Sequence, residues 1–80
     1  MEKDDNITQR HFQYVLRRYR LAAGLTQEQL SEKIGVSSGF YSMMEIGRKW
    51  PNINMLFKIA AALGVRPGEL IDALEAEAKR

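Results

Sequence analysis

Apolar residues recur at three- and four-residue intervals along most of the chain, in segments separated by glycine. The first segment places its apolar residues on one face: Phe12, Val15, Leu16, Tyr19 and Ala23. This is the spacing of an amphipathic helix, and it predicts a helix from about Gln9 to Ala23 with Thr8 as its N-cap. Four glycines follow the predicted helix ends, where a left-handed backbone is needed: Gly24, Gly35, Gly47 and Gly64. Together these signals predict five helices.

The second and third predicted helices are short and close together. Thr26 and Gln29 have the spacing of a capping box, which predicts a helix start at this point. That helix ends near Ile34, and the tripeptide Gly35-Val36-Ser37 makes a tight turn. Ser37 is a good N-cap for a third helix from Ser38 to about Ile46.

The rest of the chain predicts two more helices and no strand. Asn52 is the N-cap of a helix through Leu63 that is apolar almost all round, so we expect it to be central and buried. Pro67 suits the first turn of a fifth helix. The fold class is therefore all-α, a compact five-helix bundle. We expect residues 1–7 to be a disordered tail and residues 8–80 to form a single domain.

Composition excludes several classes of protein. The chain has no cysteine and one histidine, His11, which excludes disulfides, thiolate metal sites and histidine-rich metal sites. No arrangement of acids and bases suggests catalysis, so we predict no enzyme, no metal and no cofactor. The chain starts without a secretion signal, and its longest apolar run, Ile59–Leu63, is too short to cross a bilayer. We expect a cytoplasmic protein with no membrane partner.

Charge is distributed unevenly along the chain. Residues 1–9 and 69–80 each carry a net charge of −2, whereas residues 10–68 carry +6. A basic body between acidic ends indicates a surface for a polyanion such as DNA. Charge alone leaves open the alternative that these side chains are scattered, solvated surface groups.

Two short helices joined by a glycine-containing turn form the helix-turn-helix unit, whose second helix enters the DNA major groove. Gly35-Val36-Ser37 alone is a weak signal, because any helical hairpin can contain it. The wider pattern resembles the phage repressor and Cro-type (XRE-like) helix-turn-helix family over residues 10–74. The matching positions are Leu25-Thr26-Gln27-Glu28-Gln29-Leu30, Gly35-Val36-Ser37, Glu45-x-Gly47, Pro51 and Leu56-x-x-Ile59-Ala60-x-x-Leu63-Gly64-Val65. The resemblance implies a lambda-repressor-like DNA-binding domain and a transcription regulator that binds a palindromic double-stranded operator as a homodimer.

The resemblance also implies roles for individual residues. The helix at about residues 38–46 would lie in the major groove, with these residues facing the bases: Ser37, Ser38, Gly39, Phe40 and Met43. Gln27 matches a phosphate-binding position at a helix N-terminus, and Arg48 with Lys49 matches a loop that contacts the DNA backbone. Ordinary surface roles for these three remain the alternative.

Other matched positions are structural. Arg20 and Glu45 correspond to a salt bridge between the first and third helices, and Tyr41 and Met44 correspond to core positions. Trp50 is expected to cover the edge of the core. The apolar residues of the fifth helix predict a dimer interface: Leu70, Ile71 and Leu74.

The recognition positions differ from the usual family pattern in one respect. They carry short or apolar side chains in place of Arg, Lys, Gln or Asn: Ser38, Gly39, Phe40 and Met43. Apolar side chains can contact thymine methyl groups, and serine can bond to base edges. The scarcity of hydrogen-bonding groups keeps a second hypothesis open, in which the fold is a protein-interaction module with a protein partner, as in an antitoxin.

Overall fold

The computed structural model describes residues 6–80, and within that range the chain forms five α-helices and no strand, which confirms the predicted all-α class. The helices are α1 (Ile7–Ala22), α2 (Gln27–Ile34), α3 (Ser38–Glu45), α4 (Ile53–Leu63) and α5 (Pro67–Ala78). The radius of gyration is 12.0 Å, as expected for a compact domain of this length. Over the described range, no helix is both long and apolar enough to cross a membrane.

Side-chain caps begin three of the helices where the sequence predicted them. Thr26 Oγ1 accepts the Gln29 amide at 3.0 Å, and Gln29 Oε1 accepts the Thr26 amide at 2.9 Å, which completes the capping box. Ser37 and Asn52 each accept the backbone amide three residues further on. Each cap satisfies an amide that would otherwise have no partner in the first turn.

The start of α1 differs from the sequence prediction. The helix begins at Ile7, so Thr8 lies inside it and is not its cap. Asn6 is the N-cap residue, and its side chain makes no capping hydrogen bond. Ile7, predicted to be in a disordered tail, is the first helical residue; residues 1–5 of that tail lie outside the described residues. Ile7 and Thr8 line a groove against Ile71 and Leu74 of α5, so packing against α5 supports this first turn in place of a cap.

Gly47 has a backbone that only glycine adopts without strain. Its φ is +82°, and a Cβ placed on it would collide with the side-chain amide of Gln13. We therefore expect Gly47→Ala to destabilise the domain by at least about 1–2 kcal/mol, the penalty for a left-handed alanine. Gly39 is the matched control, because a Cβ there meets open space. Gly39→Ala should raise stability by up to about 1 kcal/mol, and equal melting temperatures for the two variants would contradict a strained alanine at position 47.

Residues from every helix form one apolar core. Its members are Phe12, Val15, Leu16, Leu30, Ile34, Tyr41, Met44, Leu56, Ile59, Ala60 and Leu70. Tyr41 and Met44 lie in this core, fully buried. The prediction that α4 is central and buried was wrong for one side of the helix, where Ile53 is 66% exposed and Phe57 is 56% exposed. One side of α4 packs on the core and the other forms part of the surface.

The first and last helices pack against each other. Arg18 Nη1 donates to Glu77 Oε1 at 3.0 Å, and the Tyr19 hydroxyl donates to Glu69 Oε2 at 3.0 Å. Leu70, between these two contacts, is only 1% exposed and belongs to the core. Because α1 also packs against α3, the α1–α5 contact holds α1 in place against the helix-turn-helix unit.

Candidate nucleic-acid interface

A three-residue turn fixes α3 relative to α2. Gly35 adopts a left-handed backbone with φ of +87°, and the next amide, that of Val36, donates to the Ser31 carbonyl at 3.1 Å. The Val36 side chain packs against the core, and Ser37 then caps α3. Little freedom remains in this turn, so the angle between the two helices is set by the fold.

A buried carboxylate joins three helices at the back of α3. The Glu45 side chain is 3% exposed and accepts two bonds from Arg20, from Nε at 2.6 Å and from Nη2 at 3.1 Å. The Tyr41 hydroxyl and the Gln27 side-chain amide donate to the same carboxylate. Arg20 also donates to the Leu25 carbonyl at 2.9 Å. This Glu45 network therefore links α1, α2 and α3 in one arrangement.

Hydrogen bonds keep the Glu45 network charged. Burial alone would raise the pKa of Glu45, but the bonds from Arg20, Tyr41 and Gln27 outweigh it and hold this pKa below its usual value. The bond to Glu45 raises the pKa of Arg20. Burial, together with Glu45, raises the pKa of Tyr41, so its hydroxyl stays a donor. At neutral pH the site is a satisfied ion pair with two further hydrogen bonds.

Gln27 makes a contact that the sequence did not predict. It was predicted to contact phosphate, and the structure shows its Nε2 donating to Glu45 Oε1 at 3.0 Å. An amide nitrogen carries two hydrogens, so this bond uses one of them and leaves the other able to donate to a further group. Nothing in the local pattern signals the Glu45 bond, because the partners are 18 residues apart.

The outer side of α3 carries the predicted base-contacting residues. Ser38, Gly39 and Met43 are exposed, with Met43 at 40%. Ser37 is also exposed, and its hydroxyl accepts the Phe40 amide at 3.0 Å. Phe40 differs from the others, because it is half-buried and packs against the core. Its main contribution is therefore to hold α3 in place.

The basic loop after α3 folds back onto that helix. The backbone amides of Arg48 and Lys49 both donate to the Met43 carbonyl, at 2.9 and 3.2 Å. Both basic residues are exposed, so two cations lie beside the end of α3. Trp50, which was predicted to cover the core edge, is 42% exposed. Ile46 at the C-cap of α3 is 59% exposed and was not predicted as a surface residue.

A second exposed surface is formed by apolar residues of α4 and α5. We call it the α4–α5 face and define it as Ile53, Phe57, Ile71 and Leu74, of which the first three are exposed and Leu74 is half-buried. A groove of about 340 Å³ runs between the helices here and is lined by three of these residues. The prediction that Leu70 lies in a dimer interface was wrong, because Leu70 is 1% exposed inside the core. Ile53 and Phe57 were not predicted, since the apolar pattern of α4 gave no indication of which side is exposed.

The described chain offers little for metal or acid–base chemistry. Among residues 6–80 no group of three or more His, Asp or Glu side chains is arranged to hold a metal ion. The ionisable groups that are buried belong to the Glu45 network, and all of its members are engaged with each other.

Sequence comparison connects this geometry to known proteins. Residues 16–70 match the helix-turn-helix family. The chain is 41% identical over 54 residues to an uncharacterised HTH-type transcriptional regulator of Sinorhizobium fredii, covering 68% of this chain and 70% of that one. A second such regulator, from Methanothermobacter thermautotrophicus, is 40% identical over 50 residues, covering 62% and 72%.

Solved structures show the same fold. The clp gene regulator ClgR of Corynebacterium glutamicum superposes with a TM-score of 0.86 at 25% identity, covering 95% of this chain and 81% of that one. The restriction–modification controller protein C.AhdI from Aeromonas hydrophila gives 0.72 at 30% identity, covering 84% and 98%. The wild-type controller C.Esp1396I gives 0.81 at 23% identity, covering 98% and 100%.

Proposed function

Because this chain belongs to the helix-turn-helix family of DNA-binding transcription regulators, we propose that it binds a palindromic operator as a homodimer. Its α3 helix would lie in the major groove of each half-site. The observation that carries this proposal is the position of α3, whose inner side is anchored by the Glu45 network while its outer side is exposed. We place its action in the cytoplasm, with the DNA it regulates.

The geometry of α3 suits the major groove. The groove is about 12 Å wide and admits one α-helix. Ser38 and Gly39 begin the helix and Met43 lies one turn later, so this exposed side can approach base edges along its length. An anchored helix loses little conformational freedom on binding, so more of the interaction energy remains for affinity.

Phosphate contacts flank the proposed base contacts on both sides. Arg48 and Lys49 extend from the loop held against Met43, and the N-terminus of α2 carries Gln27. Helix N-termini attract anions through their unpaired amides and the helix dipole. These groups would fix the position of α3 on the duplex without selecting a sequence.

The α4–α5 face supports the homodimer. Its exposed apolar side chains and groove provide a surface that a second copy would remove from water. A two-fold axis through this face would bring two α3 helices to half-sites about 34 Å apart, one turn of B-DNA. One solved neighbour of the same fold is described as a tetramer in complex with its natural 35 base-pair operator.

The decisive experiment is selection of bound sequences from a random DNA pool. We expect a palindromic consensus with half-site centres about one helical turn apart. An enriched site without two-fold symmetry would contradict the homodimer, whereas the proposal of sequence-specific DNA binding would stand. Failure to enrich any sequence, with retention of a protein partner instead, would support the interaction-module alternative.

Binding should depend strongly on salt. With about three phosphate contacts per subunit, counterion release gives a slope of log affinity against log salt near −5 for a dimer. Lys49→Ala should reduce the slope by about one unit per lost contact, or about two per dimer. Lys58→Ala is the matched control, because Lys58 lines a groove with Lys33 at the far end of α2 from Gln27. Filter binding at several salt concentrations gives both slopes, and equal slopes would contradict the placement of Lys49.

A further inference from the structure

The outer side of α3 lacks the side chains that usually distinguish bases by hydrogen bonds. Between residues 38 and 46 the only carboxylate, amide or cationic side chain is Glu45, and it is buried. The exposed positions are two small residues, Ser38 and Gly39, and two apolar ones, Met43 and Ile46. This surface can therefore distinguish base pairs mainly by their apolar groups.

Met43 is held where it can make such a contact. Its carbonyl accepts the amides of Arg48 and Lys49, so the backbone at Met43 is fixed beside the two cations that would dock on phosphates. Ile46, one turn further, extends the apolar surface and is 59% exposed. A Cβ at Gly39 would meet no atom of the protein within 4 Å, so the backbone there can approach the duplex closely.

The apolar group in the major groove is the methyl group at C5 of thymine. Cytosine and uracil lack it, and 5-methylcytosine carries it at the same position. A thioether is at most a weak hydrogen-bond acceptor, so it cannot read the amino or carbonyl group at C4 that separates cytosine from thymine. We propose that Met43 and Ile46 recognise the C5 methyl group itself, so that 5-methylcytosine can replace thymine in the operator.

This inference rests on the proposed function, because it requires α3 to lie in the major groove. It adds that the methylation state of cytosine controls binding: an operator with cytosine facing Met43 would be occupied when that cytosine is methylated and weakly occupied when it is not. Burial of one methyl group changes affinity by about fourfold, and by about 15-fold when both half-sites of a palindrome are altered.

The test uses the operator obtained by selection. Thymines are replaced by uracil one at a time in both half-sites, and the position with the largest loss is then made cytosine or 5-methylcytosine. We expect tight binding with thymine and 5-methylcytosine, and about 15-fold weaker binding with uracil and cytosine. Met43→Gln keeps the side-chain length and adds an amide, so it should remove the thymine–uracil difference. Circular dichroism checks that this variant is folded.

The possible outcomes distinguish a failure of methyl recognition from a failure of the proposed DNA-binding function. Equal affinity of the wild-type protein for thymine and uracil at every position, or for cytosine and 5-methylcytosine at the position tested, overturns methyl recognition while specific DNA binding stands. Absence of any specific binding overturns the proposed function itself. If Met43→Gln fails to fold, Ile46→Ala is the second variant, because more than half of Ile46 is exposed. It should reduce the methyl effect, and an unchanged effect in a folded variant counts against the proposal.

Discussion

Glu45→Ala is expected to destabilise the domain by about 3–5 kcal/mol, because it leaves the Arg20 guanidinium buried without its counter-charge. The Arg20 side chain is 11% exposed, so water cannot replace the lost carboxylate freely. The hydroxyl of Tyr41 and the amide of Gln27 lose the same acceptor. For a domain of this size, such a loss lowers the melting temperature by more than about 10 °C.

Glu28→Ala is the control for Glu45→Ala. Glu28 is exposed in the first turn of α2, where its charge is worth at most about 1 kcal/mol through the helix dipole. Thermal or urea unfolding of both variants measures the contrast. Losses of similar, small size would show that the Glu45 network contributes little to stability.

The same network predicts how stability responds to acid. The pKa of Glu45 is lower in the folded protein than its usual value of about 4.5. The stabilisation it gives is therefore complete above that usual value and is lost as pH falls through the folded pKa. In Glu45→Gln the charge is absent, so stability should fall less steeply below about pH 5. If the stability of the variant and that of the wild type fall in parallel as pH is lowered, this role of the carboxylate is contradicted.

Ile71→Glu is expected to give a folded monomer with operator affinity reduced by roughly 100-fold or more, since two linked half-site contacts become independent. Ile71 is 48% exposed on the α4–α5 face, so a single chain can fold with a charge at this position. An apolar interface between two chains would bury that charge, and the dimer is therefore destabilised. Analytical ultracentrifugation gives the oligomeric state, and a gel shift on the selected operator gives the affinity.

Ala76→Glu is the matched control for this variant. It adds the same charge to an exposed position of the same helix, on the side of α5 away from Ile71. It should leave the dimer and operator binding unchanged. If Ile71→Glu also sediments as a dimer, the interface lies elsewhere, and Phe57→Glu tests whether α4 alone forms it.

Helix starts and turns were predictable because their signals are local. The capping box of Thr26 and the caps at Ser37 and Asn52 each act within three residues. Gly35 and Gly64 end their helices because glycine adopts the left-handed backbone without strain, and this property also belongs to a single residue. The start of α1 could not be found in this way, because it depends on packing against α5.

The exposed sides of α4 and α5 were not predictable from spacing. Leu70 and Ile71 are adjacent and equally apolar, yet the first is 1% exposed and the second 48%. Which of them faces inward is decided by how α5 lies on α1 and α4, which no local pattern encodes. In α4, apolar residues on all sides concealed the exposed positions Ile53 and Phe57.

The candidate site was predictable only as far as the family resemblance extends. The pairing of Arg20 with Glu45 across 25 residues followed from that resemblance. The additional bonds from Gln27 and Tyr41 to the same carboxylate required the folded structure. Trp50 was expected to cover the edge of the core, and only its 42% exposure in the folded chain shows how much of it stays in contact with water.

The packing of α5 onto α1 has a consequence during protein synthesis. Leu70 completes a core that begins at Phe12, and the Arg18–Glu77 contact spans 59 residues of chain. When only α1 to α4 have emerged from the ribosome, the nascent chain still lacks Leu70 in its core. It also lacks the packing of α5 against α1. Since domains of this size fold cooperatively, we expect the helix-turn-helix unit to become competent for DNA only after α5 has emerged. Fragments that stop in α4 should therefore not form a folded unit that binds the operator.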